Sequence, residues 1–359
     1  MRFVMFYHSL VSDWNHGNAH FLRGIASELL ARGHDVQVYE PRDGWSYRNL
    51  IAGHGEQPVR DFETAYPHLR SHRYDPDSMD LDSILDGADV VIVHEWNPAH
   101  LVARFGEHRR RRNYRLYFHD THHRSVSDPD SIGNLRDFDG VLAYGESLCR
   151  RYEENGWSSR ARVWHEAADT CVFYPRQRQS EGSGELVWIG NWGDDERTRE
   201  LHEFLLCPVR SLQLRAVVHG VRYPETALRD LSEAGLHYAG WVANLRVPEI
   251  FAQFDMTVHI PRGPYRDQLP GVPTIRVFEA LACGIPLVSA PWDDCEHLFE
   301  PGKDFLVARD TREMTAMLGE LAKNEKLRAC LAANGLAAIQ ARHTCRHRVD
   351  ELLNIVRKA

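Results

Sequence analysis

Lysine is nearly absent from this chain. Lys303, Lys323, Lys326 and Lys358 are the four lysines among 43 cationic residues in a sequence of 359. The arginines that take their place are spread evenly, which reads as genome composition and not as a binding patch. There is no basic excess either: the formal net charge is −8, and neither half of the sequence is basic. That argues against nucleic acid as the main partner. Cysteine is sparse and unpatterned. The seven residues at 149, 171, 207, 283, 295, 330 and 345 are odd in number, and no two are spaced as C-x-x-C. This excludes a disulfide framework and a structural zinc ribbon, and it fits a reducing cytoplasm. Long apolar runs are missing as well. The longest, 281–292, contains glycine, serine and two prolines, so no integral membrane segment is expected, while peripheral membrane contact stays open. The amino terminus, MRFVMFYH, turns polar too early for a signal peptide.

What remains is an ordinary globular composition, 43% apolar and 26% charged, in a length that suits two domains of about 150–200 residues. The first 40 residues predict strand, loop, helix, strand. Arg2–Tyr7 is a short apolar run, and Phe21, Ile25 and Leu29 repeat on one helical face until Gly33. Residues 43–80 are irregular and polar, and only weak structure is expected there. Strands follow at Val90–Val93, Tyr114–Phe118 and Val141–Ala143, with helices at Pro98–Arg112 and Glu146–Asn155. A second series begins at Leu186–Ile189 and continues through Leu214–Val218, Met256–Ile260, a helix at Ile275–Cys283 and a strand at Ile285–Ser289. Helical patterns fill roughly 312–356. Two successive α/β series predict two Rossmann-like domains facing each other, with the ligand in an interdomain cleft beyond the carboxyl ends of the strands. The expected boundaries are 1–170 for the first domain, 171–184 for a linker, 185–340 for the second domain and 341–359 for a helix packing back on the first.

The most informative stretch is 271–290. Pro273 and Thr274 can open a helix with Thr274 as its N-cap, and free amides at a helix start attract phosphate. Arg276 falls in the first turn, where it opposes the helix dipole, so an anionic ligand would help it sit there. Glu279, one turn on, can accept hydrogen bonds from two neighbouring hydroxyls such as those of a ribose. The same spacing also fits an amphipathic helix carrying a surface glutamate.

This stretch resembles the donor-binding signature of the GT-B glycosyltransferases of the group 1, family-4-like type. There a Glu-x7-Glu element precedes Ala-x-Ala-x-Gly-x-Pro-x-Val. Residues 279–288, Glu-Ala-Leu-Ala-Cys-Gly-Ile-Pro-Leu-Val, follow the second half. The resemblance implies that Glu279 holds the donor ribose and that the backbone at Thr274, Ile275 and Arg276 meets the pyrophosphate. Gly271 stands where the family has its first Glu, which touches the transferred sugar. The variant Pro-Thr-Ile-Arg-Val-Phe-Glu is closer to the spore-maturation-protein-like branch.

Other segments resemble the family in order. Gly190 and Asn191 through Arg197 resemble the loop whose cations clamp the diphosphate, with Asn191 in place of the usual Arg. As a plain reading, Arg197 is a solvated charge in the acidic run 194–200. Gly17 and Asn18 resemble the glycine loop at the first helix, and a turn with an N-cap explains them equally well. His119 takes the place of a His that approaches the transferred sugar. His94 and Glu95, followed by Trp96, resemble a motif on the acceptor side, to which His16 is also assigned. Trp241 and Val242 resemble the loop near the donor base, with a core aromatic as the plain alternative. His165 to Thr170 takes the place of a domain-junction motif.

Several patterns compete with this reading. His119, His122 and His123 cluster with Asp120 and invite a metal. His16/His20 and His343/His347 have i, i+4 spacing, and four Asp-x-Asp triplets occur at 75–77, 80–82, 128–130 and 137–139. The family needs no metal, and the triplets fall in polar loops. Arg109–Arg112 reads as a solvated helix end.

The resemblance therefore implies an α/β protein of the GT-B fold with no cofactor and no metal. Its implied activity is a cytoplasmic, retaining glycosyl transfer from a nucleotide-diphospho-sugar to a glycan, small-molecule or protein acceptor. His119, Asp120 and Arg197 are the catalytic candidates, Asp120 or His16 serving as base if the reaction inverts. A non-catalytic nucleotide-sugar binder and another GT-B reaction, such as an epimerase, are the alternatives.

Overall fold

A computed structural model describes residues 1–178 and 183–358. Residues 179–182 of the expected linker lie outside the described residues. The chain divides into two compact units, Met1–Asp169 with the segment from Cys345 on, and Thr170–Thr344.

In the first unit the strands are β1 (Arg2–Phe6), β2 (Asp35–Pro41), β3 (Ser71–Tyr74), β4 (Val90–His94), β5 (Arg115–Asp120), β6 (Gly140–Ala143) and β7 (Ala161–Val163). Among the described residues they form one parallel sheet in the order β3-β2-β1-β4-β5-β6-β7. Phe3 is in register with Val36 on one side and Val90 on the other. The central strands are buried on both faces, which is why they read as continuous apolar runs and not as alternating ones. The chain builds outward from β1 in one direction and from β4 in the other. The order thus reverses between β1 and β4, where a parallel sheet opens a crevice beyond its carboxyl ends.

The stretch 43–80 is more ordered than its sequence suggests. It holds helices Trp45–His54 and Gln57–Ala65 as well as β3. These helices bury only Ser46, Leu50 and Phe62, so they offer too few apolar residues to stand out from the polar stretch around them. The helix Cys345–Lys358 belongs to the first unit and packs on the helix Ala19–Ala31. Trp164 Nε1 donates to the Arg348 carbonyl at 2.8 Å, and Arg32 reaches Asp350 at 2.5 Å.

The second unit contains β8 (Leu186–Ile189), β9 (Ala216–His219), β10 (Leu236–Gly240), β11 (Met256–His259), β12 (Leu287–Ser289) and β13 (Leu306–Val307). Among the described residues their order is β10-β9-β8-β11-β12-β13, all parallel. Here the reversal falls between β8 and β11. Strand β10 escaped the sequence reading because only Leu236 of its five residues is buried. Helix Glu225–Glu233 is likewise an addition. Among the described residues no helix is long and apolar enough to cross a membrane.

Candidate functional site

In the second unit the chain leaves β8 through Gly190, β9 through Gly220, and closes β10 at Gly240. The Gly220 amide donates to the Gly240 carbonyl at 2.9 Å. A Cβ on Gly220 would lie 2.0 Å from the Gly190 carbonyl oxygen, so the three backbones meet with no side chain between them. Gly220 gave no signal in the sequence, because nothing in the tripeptide His-Gly-Val marks a close approach. Asn191 braces the same loops: its Oδ1 accepts from the Val221 amide at 3.0 Å. This accounts for an amide where the family carries a cation.

Arg197 is buried at 8% exposure, which overturns its reading as a solvated charge. Its Nη1 donates to the Ile260 carbonyl at 2.9 Å, its Nε to the Trp192 carbonyl at 3.3 Å and its Nη2 to the Asn191 carbonyl. The guanidinium also lies over the Trp188 ring at 5.1 Å. Among the described residues no carboxylate lies within ion-pair distance. Nearby acids serve other cations: Glu196 pairs with Arg262 and Glu200 with Arg266. Burial lowers the Arg197 pKa, followed by repulsion from Arg262. The site therefore holds a cation bound by three carbonyls and an indole face and in no ion pair with a carboxylate, at the carboxyl ends of β8 and β11.

The helix Ile275–Ala282 runs from β11 towards β12. Thr274 occupies its N-cap position but makes no side-chain cap bond, so the expected cap by its hydroxyl is corrected. Glu279 is wholly buried and accepts from Arg276 Nη1. It is not a surface glutamate, and the counter-charge of Arg276 lies within its own helix. Nor is there room for a glutamate at 271. Gly271 has φ +85°, and a Cβ there would lie 2.7 Å from Cys295 Sγ and 3.0 Å from Glu296 Oε1. Gly271→Glu is expected to lower stability by about 2 kcal/mol or more, through left-handed backbone strain and the clash. A melting temperature equal to that of the parent protein would refute this. Trp241 and Val242 follow β10 and are half-buried, so Trp241 is not a core aromatic.

In the first unit the structure gathers imidazoles at the carboxyl edge of the sheet. Tyr7 stands between them: its hydroxyl is 2.7 Å from His119 Nδ1, and its ring stacks on His94 at 4.7 Å. The rings of His94 and His119 are 5.6 Å apart, and those of His16 and His94 6.4 Å. Burial leaves His119 neutral, with its pKa lowered to about 3. It lowers His16 and His94 as well, with help from neighbouring cations and imidazoles. The Nε2 atoms of His119 and His16 have no hydrogen-bond partner. His94 Nε2 meets Thr121 Oγ1 at 3.0 Å, and Glu95 Oε1 accepts from Thr121. Asn18 Nδ2 reaches the Thr121 carbonyl at 3.5 Å, and Gly17 lies beside it in the same loop. Asp120 is turned into the unit: its oxygens take the Tyr152 hydroxyl at 2.7 Å and the His122 amide at 3.1 Å. Burial raises its pKa to about 6.

Two of the four Asp-x-Asp triplets are engaged by their neighbours. Asp80 caps a short helix, Asp82 pairs with Arg112, Asp137 with Arg110 and Asp139 with Arg109. Three of the four arginines at 109–112 are thus ion-paired, not merely solvated. Among the described residues no group of three or more His, Cys, Asp or Glu side chains is gathered as a metal site requires.

Comparison with known proteins agrees with the architecture. Residues 197–354 match the family model described as glycosyl transferase-like. No curated protein sequence matches the chain significantly. Among solved structures, an α-glucosyltransferase in complex with UDP and a 13-mer DNA containing an HMU base is similar, with TM-score 0.72, 13% identity and 99% of each chain covered. HepE of Anabaena, solved with UDP and glucose, matches at TM-score 0.68 and 14% identity over 100% of both chains. The sucrose-phosphate synthase of Thermosynechococcus elongatus matches at 0.65 and 12%, over 100% of this chain and 99% of that one. At such identities the likeness shows the fold: this chain has the GT-B fold of the glycosyltransferases, and a glycosyl transferase-like sequence runs through most of its second unit.

Proposed function

We propose that the protein is a glycosyltransferase that moves a sugar from a nucleotide-diphospho-sugar to an acceptor hydroxyl, without a metal and with retention at the anomeric carbon. The observation that carries this reading is Arg197, a buried guanidinium with no carboxylate at the point where the second sheet reverses. A diphosphate supplies the missing negative charge. As the glycosidic bond breaks, charge builds on the leaving diphosphate, and Arg197 with the amides at the start of the helix Ile275–Ala282 stabilises it. Glu279, fixed by Arg276, accepts the ribose hydroxyls. The first unit takes the acceptor. His119 is kept neutral, so it orients a hydroxyl through its open nitrogen and does not act as a cation. The resemblance to family-4-like transferases and the UDP held by two of the structural neighbours both support a nucleotide-sugar donor.

Titration calorimetry with UDP, GDP and dTDP tests the donor. At least one is expected to bind, and Glu279→Gln is expected to weaken it by about 1–3 kcal/mol. Unchanged affinity in that variant would remove Glu279 from the site, and no binding of any of the three would overturn the reading. Gly271, which admits no side chain, favours one alternative, a binder that does not transfer. Incubation with labelled donor and an acceptor panel separates the two through the labelled product.

A further inference from the structure

We propose that the first unit carries a subsite for a sugar ring of a neutral, hydroxylated acceptor, built from the indoles of Trp45 and Trp96 around His8. This rests on the glycosyltransferase reading above and adds the class of acceptor to it.

Exposure is the first argument. Trp45 is 40% and Trp96 43% exposed, and only Met1 and Tyr174 join them as exposed large apolar side chains among the described residues. An isolated exposed tryptophan means little, but these two converge. They come from different crossovers, Trp45 from the start of the helix after β2 and Trp96 from the loop after β4. Both rings face His8, which follows β1, with centroids at 6.4 and 5.9 Å. Trp14 meets Trp45 edge-on at 5.0 Å and holds its plane. The aromatic surface therefore lies where the first sheet reverses its order, the place where such sheets bind ligands.

Polarity is the second. His8 contacts His16 at 5.1 Å, and the buried Nε2 of His16 has no partner. Burial holds His8 at a pKa of about 4, against a weaker opposing pull from Glu40. At neutral pH these imidazoles are uncharged and offer both donors and acceptors, which suits hydroxyls and not anions. Glu40 and Arg124, the ions beside these rings, are already engaged. Glu40 accepts from Ser9 Oγ at 2.6 Å and the Leu10 amide at 2.9 Å and pairs with Arg73 at 3.2 Å. Arg124 lies over the Trp96 ring at 4.8 Å and donates to the Glu95 carbonyl at 2.7 Å. A ligand here needs an apolar face for the indoles and an edge of hydroxyls for the imidazoles. A pyranose has both. A nucleic-acid base also stacks on indole, but its backbone needs a run of cations, which a chain of net charge −8 with no basic half does not offer.

The test is tryptophan fluorescence of the full chain with saturating UDP, titrated with methyl glycosides and disaccharides of glucose, galactose, mannose and N-acetylglucosamine. At least one is expected to quench saturably. Trp45→Ala and Trp96→Ala are each expected to weaken it at least tenfold with UDP affinity unchanged, and Trp96→Phe, which keeps a ring and protects folding, to retain part of it. UDP binding with no response to any glycoside overturns the subsite and leaves the donor reading standing. Equal glycoside affinity in both alanine variants overturns it too. Quenching by a single-stranded oligonucleotide in place of glycosides replaces it with a nucleic-acid acceptor. Failure of both UDP and glycosides to bind overturns the parent reading.

Discussion

Arg197→Met is expected to weaken nucleoside-diphosphate binding by about 1.5–3 kcal/mol, roughly 10- to 100-fold, because each lost bond is charge-assisted. The loss in kcat/KM is expected to be larger, on the order of 10²–10³, since negative charge on the diphosphate grows towards the transition state. Stability should hardly change. The variant frees three carbonyls, those of Trp192, Ile260 and Asn191, but it also removes a buried cation lacking a carboxylate, and the two effects oppose each other. A structural arginine predicts the reverse: a clear fall in melting temperature and an intact affinity. Calorimetry with UDP beside a thermal melt of the unliganded protein distinguishes the two. Arg197→Lys should fall between, because an ammonium keeps the charge and loses the fork that spans two loops.

Acidification is expected to destabilise the protein well before its carboxylates would normally titrate. Burial lowers the pKa of His8 to about 4 and of His119 to about 3, and holds His16 and His94 well below the usual value. All four belong to the first unit, and His259, at about 3, to the second. In the unfolded chain a histidine takes its proton near pH 6.5. Their stabilising contribution is complete above that pH and is lost as the pH falls towards the folded values, by about 1.4 kcal/mol per pH unit for each imidazole. Asp120, raised to about 6, and Glu95, also raised, act in the opposite sense. Their folded forms bind the proton more tightly, so they favour folding as the pH drops. In the first unit four imidazoles oppose two carboxyls, and the imidazoles prevail. The melting temperature should fall by roughly 10 °C between pH 7 and pH 5. A flat or rising profile would show that the imidazole cluster is hydrated or already charged.

Two strand-helix series were legible from residue types alone. Continuous apolar runs such as Val90–Val93 and Leu186–Ile189 mark strands covered on both faces. The helix Ile275–Ala282 was legible too, because one of its faces is uniformly apolar and a proline opens it. Elements that bury little were not: β10 at the sheet edge and the helices in 43–80 bury only one or two residues each. Among the candidate site residues, Arg197, Glu279, His94 and His119 could be singled out by their place in an ordered series of motifs. Their state could not.

The amino-acid sequence by itself determined the class of fold, the alternation that makes both sheets parallel, and which side chains fall at strand ends. Those follow from local periodicity and from the short reach of βαβ crossovers. Tertiary structure alone decided that Arg197 is buried without a carboxylate, that Glu279 is closed against Arg276, that Gly220 touches Gly190, and that Trp45 and Trp96 meet at His8. Each joins segments distant in the chain, or depends on how much water packing removes. Charge state and exposure are set by that removal, which no local pattern of residues encodes.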